Sequence, residues 1–172
     1  MTLLLLVRHG ETDWNAEGRL QGHTDTPLND HGRRQARALA GRLADDGIDA
    51  VYSSDLSRAR ETAEIVGERL GLHVVLDTAL RERDWGTWEG LTGAERERVE
   101  LSGEAMEAHR ERTLRALRAI AARHPGGRIL VVTHGGSIRR VQAAATGVAQ
   151  PVVENCGTWL VAYEDGGFRA VD

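Results

Sequence analysis

Two histidines, two arginines and one glutamate of this chain each follow a stretch that is typical of a short β-strand. In an open α/β sheet the loops after the strands meet at one crevice, so these side chains are expected to share it. A guanidinium binds phosphate through paired donors, a neutral imidazole can attack phosphorus, and a carboxylic acid can protonate a leaving oxygen. The combination predicts phosphoryl transfer. The four runs are Arg8-His9-Gly10, Ser54-Asp55-Leu56-Ser57-Arg58-Ala59, Leu80-Arg81-Glu82 and Thr133-His134-Gly135-Gly136.

His9 is the candidate nucleophile, and Arg8 and Arg58 are the candidate phosphate clamps. Gly10 would let another group come close to the imidazole, and the nearby guanidinium charges would keep His9 neutral. The same charges would stabilise the phosphoryl group during transfer. Arg58 also stands near the expected start of a helix, where a cation is unfavourable unless an anion is close.

His134 and Glu82 would complete the site. His134 is expected to donate a hydrogen bond to the phosphoryl oxygens, and the backbone N–H groups at Gly135 and the next glycine would add donors. Glu82 is the candidate acid that gives its proton to the leaving oxygen and then activates water. Each residue taken singly also fits an ordinary loop or surface role. Their shared position after strands is what favours a site.

Alternating strand and helix patterns predict an α/β fold. The pattern favours a three-layer α/β/α sandwich with a mostly parallel central sheet, and the Asp165-Gly166-Gly167 hairpin signal predicts one antiparallel edge strand. Ser137 is expected to cap a short helix, and residues 85–93 are expected to be irregular. Residues 1–172 show no linker and form one predicted domain. The expected strands span residues 3–7, 49–53, 74–76, 128–132, 158–163 and 168–171.

Composition excludes several classes of protein. The net charge of −4 offers no basic surface for nucleic acid, and no apolar run approaches the length of a membrane span. Cys156 is the single cysteine, so no internal disulfide is expected. Arg8 ends the apolar run at residues 3–7 too early for the core of a signal peptide, so the default location is cytoplasmic. The chain lacks metal-ligand spacing, so no metal is expected, and it lacks a glycine-rich phosphate loop followed by lysine, so a nucleotide triphosphatase is not expected. No other cofactor is expected.

The same residues closely resemble the motifs of the histidine phosphatase superfamily, in the branch named for cofactor-dependent phosphoglycerate mutase. The order and rough spacing of the motifs cover nearly the whole chain. The triplet at residues 8–10 is common by chance, whereas the four motifs together are highly specific. The matching runs are Leu6-Val7-Arg8-His9-Gly10-Glu11-Thr12 with Trp14-Asn15, Ser53-Ser54-Asp55-Leu56 with Arg58-Ala59 and Thr62, Leu80-Arg81-Glu82 with Gly86 and Trp88-Glu89-Gly90, and Val131-Val132-Thr133-His134-Gly135-Gly136.

The resemblance implies a phosphoglycerate mutase-like fold and metal-free transfer to a phosphorylated histidine. In this chain His9 would be that nucleophile and Glu82 the proton donor, while Arg8, Arg58 and His134 would complete the phosphate pocket. The resemblance also implies a substrate side, formed by Asn15, Gln21, Gly22 and Gly135.

One departure from the family pattern bears on the reaction. The segment between Glu82 and the helix expected from residue 104 is short, whereas family mutases carry a longer insert with basic and aromatic groups. Arg96 and Arg98 lie there among glutamates and are expected to form a solvated charged face. A smaller cover would leave the site open to water, so a phosphorylated enzyme would hydrolyse.

The sequence therefore favours a phosphatase that acts on a small phosphomonoester. A phosphoglycerate mutase is the second reading, which Arg83 directly after Glu82 keeps open. A phosphate-ester binding module without turnover is the third reading, and the intact set of motifs argues against it. The physiological ester and the oligomeric state stay open. The remaining histidines, including His109, are expected to be surface or cap groups.

Overall fold

A computed structural model describes residues 1–171, in which one six-stranded sheet lies between two layers of helices. The strand order is β3-β2-β4-β1-β5-β6. The strands are β1 (Thr2–Arg8), β2 (Ala50–Ser53), β3 (Val74–Leu76), β4 (Arg128–Thr133), β5 (Thr158–Glu164) and β6 (Gly167–Ala170). The helices are α1 (Asp13–Ala16), α2 (Asp30–Arg42), α3 (Ser57–Leu70), α4 (Gly93–Arg96), α5 (Met106–Arg123) and α6 (Gly135–Thr146), with short 3-10 helices at Thr78–Leu80 and Gly86–Trp88.

The predicted sandwich and its mostly parallel sheet are confirmed. Strands β1, β2, β3 and β4 pair in parallel, and β5 pairs antiparallel with both β1 and β6. The antiparallel strand β5 thus lies one position inside the edge, because β6 turns back over it through Asp165 and Gly166, both at positive φ. The parallel strands leave their carboxyl ends at the same edge of the sheet.

Strand β1 shows why the sheet is covered on both faces. Successive side chains of a strand point to opposite faces. Leu4 and Leu6 pack into a core with helices α5 and α6, whereas Leu5 and Val7 pack into a second core with α2 and α3. All four side chains are buried or nearly so. A continuously apolar strand is the expected result of burial on both faces.

None of the helices in the described part of the chain combines the length and apolar character that a membrane span requires.

The first residues of α2 pack directly against the loop that follows β1. A Cβ atom on Gly10 would lie 2.6 Å from the carbonyl oxygen of Gly32, and one on Gly32 would overlap the backbone of Glu11. This close approach brings the N-terminus of α2 next to the loop that carries His9. Gly41, in the same helix, has no atom within 4 Å of an added Cβ.

These two glycines give a matched test of the close approach. Gly32→Ala is expected to lower the free energy of unfolding by about 1–3 kcal/mol, because backbone must move to admit the methyl group. Gly41→Ala should leave stability unchanged or raise it by up to about 1 kcal/mol, since alanine favours helix. Urea denaturation measures both. Equal effects at the two positions would contradict the packing described.

Candidate active site

The nine residues predicted from the sequence line one cleft of about 430 Å³ at the carboxyl edge of the sheet. Five of them follow strands directly or closely, and four form the wall beside them. The first group is Arg8, His9, Arg58, Glu82 and His134, and the second is Asn15, Gln21, Gly22 and Gly135.

His9 is buried and held in one tautomer. Its Nδ1 lies 2.7 Å from the carbonyl oxygen of Gly10, and because a carbonyl can only accept, Nδ1 carries the proton. Nε2 of the neutral ring therefore keeps its lone pair. Burial, followed by the charges of Arg58 and Arg8, holds the pKa of His9 well below its ordinary value, so the ring stays uncharged.

The backbone around His9 is fixed by two side chains from distant parts of the chain. The amide of Asn155 donates to the carbonyl oxygen of His9 over 2.9 Å, and the N–H of Gly10 donates to the hydroxyl of Thr62 over 3.0 Å. The Thr62 hydroxyl in turn donates to the carbonyl of Arg58. Helix α3 thus links the backbone that follows His9 to the backbone of Arg58.

Arg8 and Arg58 are held by carbonyl oxygens rather than by carboxylates. Arg8 donates to Val153, and Arg58 donates to Thr24 over 3.0 Å and to Gly22 over 2.7 Å. Burial lowers the pKa of Arg8, and it lowers that of Arg58, whose exposed fraction is 1%, to about 10. Within residues 1–171 neither guanidinium lies within 4.0 Å of a carboxylate oxygen.

His134 lies beside His9, with ring centroids 5.2 Å apart and the rings edge to face. Its Nε2 lies 2.9 Å from the Ser54 hydroxyl. Burial, and then the charge of Arg58, hold the pKa of His134 well below its ordinary value. His134 is also the N-cap of α6, so the prediction that Ser137 caps this helix is wrong. The helix begins at Gly135, about one turn earlier than predicted. Glycine fits there and at Gly136, where a Cβ atom would overlap the side chains of Val152 and Glu82.

Buried side-chain nitrogens without a partner lie around this site. In residues 1–171, seven buried side-chain nitrogen or oxygen atoms lack a hydrogen-bond partner, and three of them are Nε of Arg8, Nε of Arg58 and Nδ1 of His134. The guanidinium N–H groups can only donate, and a buried donor without a partner is costly, so an anion in the cleft suits both arginines.

Glu82 faces this cluster from the loop after the Thr78–Leu80 helix. One carboxylate oxygen accepts from the N–H of Gly136 and the other from the N–H of Arg83, each over 2.8 Å. A Cβ on Gly136 would overlap the carboxylate, so glycine is required for this contact. Glycine at this position thus allows α6 to hold the candidate acid.

His109 touches the same carboxylate, and its prediction as a surface or cap group is wrong. It is 1% exposed, with Nε2 3.6 Å from a Glu82 oxygen and 3.0 Å from the Ser137 hydroxyl. A signal was present in the sequence. His109 lies at helical spacing from Thr113, Ala116 and Ile120, which form the buried stripe of α5.

Glu89 connects the cover of the cleft to the loop that holds Arg58. Its carboxylate accepts from the N–H groups of His23 and Thr24 over 2.8 Å and from that of Trp85 over 3.1 Å. The Thr24 hydroxyl also donates to this carboxylate. Burial raises the pKa of Glu89, but the bond from that hydroxyl together with the backbone bonds outweighs it, and the net shift is downward. The sequence assigned Glu89 no role, because most of its partners are backbone groups 4 to 66 residues away.

Four further residues of the cleft wall were also missed or misplaced: Arg19, Trp85, Arg96 and Arg139. The prediction of a solvated face is wrong for Arg96, which lines the cleft, whereas Arg98 is exposed. A single arginine in a sequence rich in charged residues shows no pattern that marks it as part of a site. Only the fold identifies Arg19, Arg96 and Arg139 as cleft residues.

Sequence relatives of two kinds match the chain. A protein of Arabidopsis thaliana described as phosphoglycerate mutase-like protein 4 is 42% identical over 168 residues, covering 87% of this chain and 73% of the relative. A metal-independent phosphoserine phosphatase of the same plant is 39% identical over 165 residues, covering 85% and 69%. The relatives thus include a protein named for its likeness to phosphoglycerate mutase and a phosphatase.

Solved structures agree with the fold over almost the whole chain. The Bacillus stearothermophilus protein YhfR superposes with a TM-score of 0.91 at 33% identity, covering 99% of this chain and 95% of that protein. A mycobacterial glucosyl-3-phosphoglycerate phosphatase superposes with a TM-score of 0.87 at 30% identity, covering 97% and 95%.

The sequence profile of the histidine phosphatase superfamily (branch 1) matches residues 4–172. Together with the sheet order, the cleft and the relatives, this match confirms the resemblance found in the sequence: the chain belongs to the histidine phosphatase superfamily, branch 1.

Proposed function

We propose that the protein is a metal-independent phosphomonoester hydrolase whose reaction passes through a phosphorylated His9. The observation that carries this proposal is a buried neutral imidazole, with Nε2 free, beside the buried Arg58 and the partly buried Arg8, neither of which has a carboxylate partner within 4.0 Å in residues 1–171. Such a site has excess positive charge and a nucleophile of low basicity. The phosphatases among its relatives support the same activity.

The first step transfers the phosphoryl group to the enzyme. Arg8, Arg58 and the N–H at Nδ1 of His134 bind the phosphate oxygens and stabilise the charge that shifts between them. The Nε2 lone pair of His9 forms a bond to phosphorus while the bond to the ester oxygen breaks. Glu82 gives its proton to that oxygen, so the alcohol leaves neutral.

The second step returns the enzyme to its starting state. A water molecule attacks phosphorus on the opposite side, the bond to Nε2 breaks, and Glu82 accepts the proton of that water. His9 is again neutral with its proton on Nδ1, held by the carbonyl of Gly10. Inorganic phosphate then leaves.

Asn15 and Gln21 are placed to contact the alcohol part of the substrate. The side-chain oxygen of each lies within hydrogen-bond distance of the Thr12 hydroxyl, at 3.2 Å and 2.8 Å. These contacts fix both amides on the cleft wall. In the described part of the chain neither amide nitrogen donates to a protein group, so both are available to a ligand.

The cover of the cleft favours hydrolysis over the mutase reaction. Between Glu82 and the start of α5, the chain forms only a 3-10 helix at Gly86–Trp88 and the four-residue helix α4. Such a small cover leaves a path for water to the phosphorylated histidine.

A cytoplasmic location stays a prediction.

An assay with 3-phosphoglycerate and p-nitrophenyl phosphate, with and without chelator, tests the proposal. We expect phosphate release from at least one ester at a rate that chelator does not change, with 2-phosphoglycerate forming more slowly than phosphate. His9→Ala should abolish turnover while the far-UV circular dichroism spectrum stays unchanged. Faster isomer formation would indicate a mutase, and binding without any product would indicate a module without turnover.

Glu82→Gln tests the assigned acid. Because glutamine cannot donate a proton to the leaving oxygen, kcat/KM should fall at least about a hundredfold for alkyl phosphates. The loss should be much smaller for p-nitrophenyl phosphate, whose phenolate leaves without help. The control is Glu97→Gln, an exposed glutamate on the cover. Equal losses for both kinds of ester would contradict the role of Glu82.

A further inference from the structure

A chain of hydrogen bonds connects Arg58 to the carboxylate of Glu89 through one peptide group. The carbonyl oxygen of Gly22 accepts from Nη2 of Arg58 over 2.7 Å. The N–H on the other side of the same peptide bond, that of His23, donates to Oε1 of Glu89 over 2.8 Å. Because the C=O and N–H of a trans peptide point in opposite directions, the guanidinium and the carboxylate lie at its two ends. Each bond in such a chain polarises the next one and strengthens it.

The surroundings of Glu89 require an ionised carboxylate. In residues 1–171 its hydrogen-bond partners are all donors: Oε1 accepts from the N–H groups of His23 and Trp85, and Oε2 accepts from the N–H and the hydroxyl of Thr24. A carboxylate offers an acceptor to each of these groups, whereas an amide would turn its own NH2 toward donors. Glutamine at this position would therefore lose the bonds to one of the two oxygens.

Two backbone features hold Glu89 against this loop. Gly22 has a φ of +55°, and a Cβ atom there would overlap the Glu89 carboxylate. The N–H of Gly90 donates to the carbonyl of Leu20 over 2.8 Å, and the N–H of Leu20 donates to the carbonyl of Leu91 over 3.1 Å. The loop around Gly22 and the segment that carries Glu89 are therefore joined by main-chain bonds as well as by the carboxylate.

Arg58 needs such support more than an exposed arginine would. It is buried, and it lies in the first turn of α3, where the helix dipole is unfavourable for a cation. Asp25 of the same loop is engaged elsewhere, because its carboxylate accepts from the N–H of Ser57 at the start of α3 over 2.7 Å. Glu89 is the carboxylate bonded to the peptide group that holds the guanidinium.

We propose that Glu89 is a positioning residue for Arg58: its carboxylate, acting through the peptide group between Gly22 and His23, holds the guanidinium that binds the phosphoryl group. This role rests on the proposed function, because it explains how the same site keeps its phosphate clamp in place. A simple charge effect has the opposite sign. If the carboxylate only lowered the positive charge of the cleft, its removal would tighten phosphate binding, whereas loss of a positioning carboxylate weakens that binding.

Calorimetric titration with inorganic phosphate measures this sign without any turnover. For Glu89→Gln we expect about tenfold weaker phosphate binding, the size expected when charge-assisted hydrogen bonds are lost. The matched control is Glu95→Gln on the same cover, which should keep the phosphate affinity. Glu95 likewise accepts from the N–H and the hydroxyl of one threonine, Thr92, but these bonds cap α4.

A milder variant, Thr24→Val, removes only the hydroxyl bond to Glu89. It should weaken phosphate binding about threefold, as for one hydrogen bond at an exposed residue. If Glu89→Gln does not fold, Thr24→Val takes its place in the experiments below.

A double-mutant cycle shows whether the effect passes through Arg58. Arg58→Lys keeps a cation in the site, so phosphate binding stays measurable, but it removes the guanidinium that the carbonyls of Gly22 and Thr24 hold. On that background Glu89→Gln should change the phosphate affinity less than about twofold, whereas on the Arg8→Lys background it should again cost about tenfold.

Unchanged or tighter phosphate binding by Glu89→Gln, or equal losses on both arginine backgrounds, would overturn the role of Glu89. If the cycle gives the expected coupling but the wild-type protein releases no phosphate from any ester, the proposed function alone is overturned.

Discussion

The structure depends on holding the charges of Arg58, which is buried, and Arg8, which is partly buried, by hydrogen bonds to backbone carbonyls instead of direct ion pairs. Burying a cation is costly unless it is paired or hydrogen-bonded, and here backbone carbonyls supply the bonds while leaving the charge. The positive charge has two effects. It adds to burial, which is the larger cause, in lowering the pKa of His9, so the imidazole stays neutral, and it makes the site favourable for a phosphate dianion. One electrostatic arrangement thus both prepares the nucleophile and binds the group that it attacks.

Several connections between loops keep this arrangement in place. Arg81 donates two hydrogen bonds to Asp55, at 2.6 and 2.7 Å, which joins the loop before Arg58 to the loop that carries Glu82. Arg112 of α5 donates to the carbonyls of Ala79 and Arg81, so α5 also holds the loop that carries Glu82. Glu89 connects the cover to the carbonyls that hold Arg58. The reacting groups are therefore supported by contacts that join the loops at the carboxyl edge of the sheet to one another and to α5, which favours preorganisation.

The residues after strands were predictable because two simple rules act there. Apolar runs fix the strands, and parallel strands bring the residues that follow them to one edge, so His9, Arg58, Glu82 and His134 could be placed together from the sequence. Residues that depend on packing could not. His109 reaches Glu82 only because α5 packs against α6, and Glu89 accepts mainly from backbone N–H groups, which no side-chain pattern reveals. The helix cap at His134 was missed because its backbone, not its side chain, defines the start of α6.

The charge state of His9 is the central claim, and long-range proton–nitrogen NMR of the ¹⁵N-labelled protein measures it directly. The His9→Ala spectrum assigns the signals. We predict that His9 stays neutral, with the proton on Nδ1 and none on Nε2, as the pH falls through about 6.5, where an ordinary histidine titrates. A His9 ring that gains its second proton near that pH, or that carries its single proton on Nε2, would contradict the account.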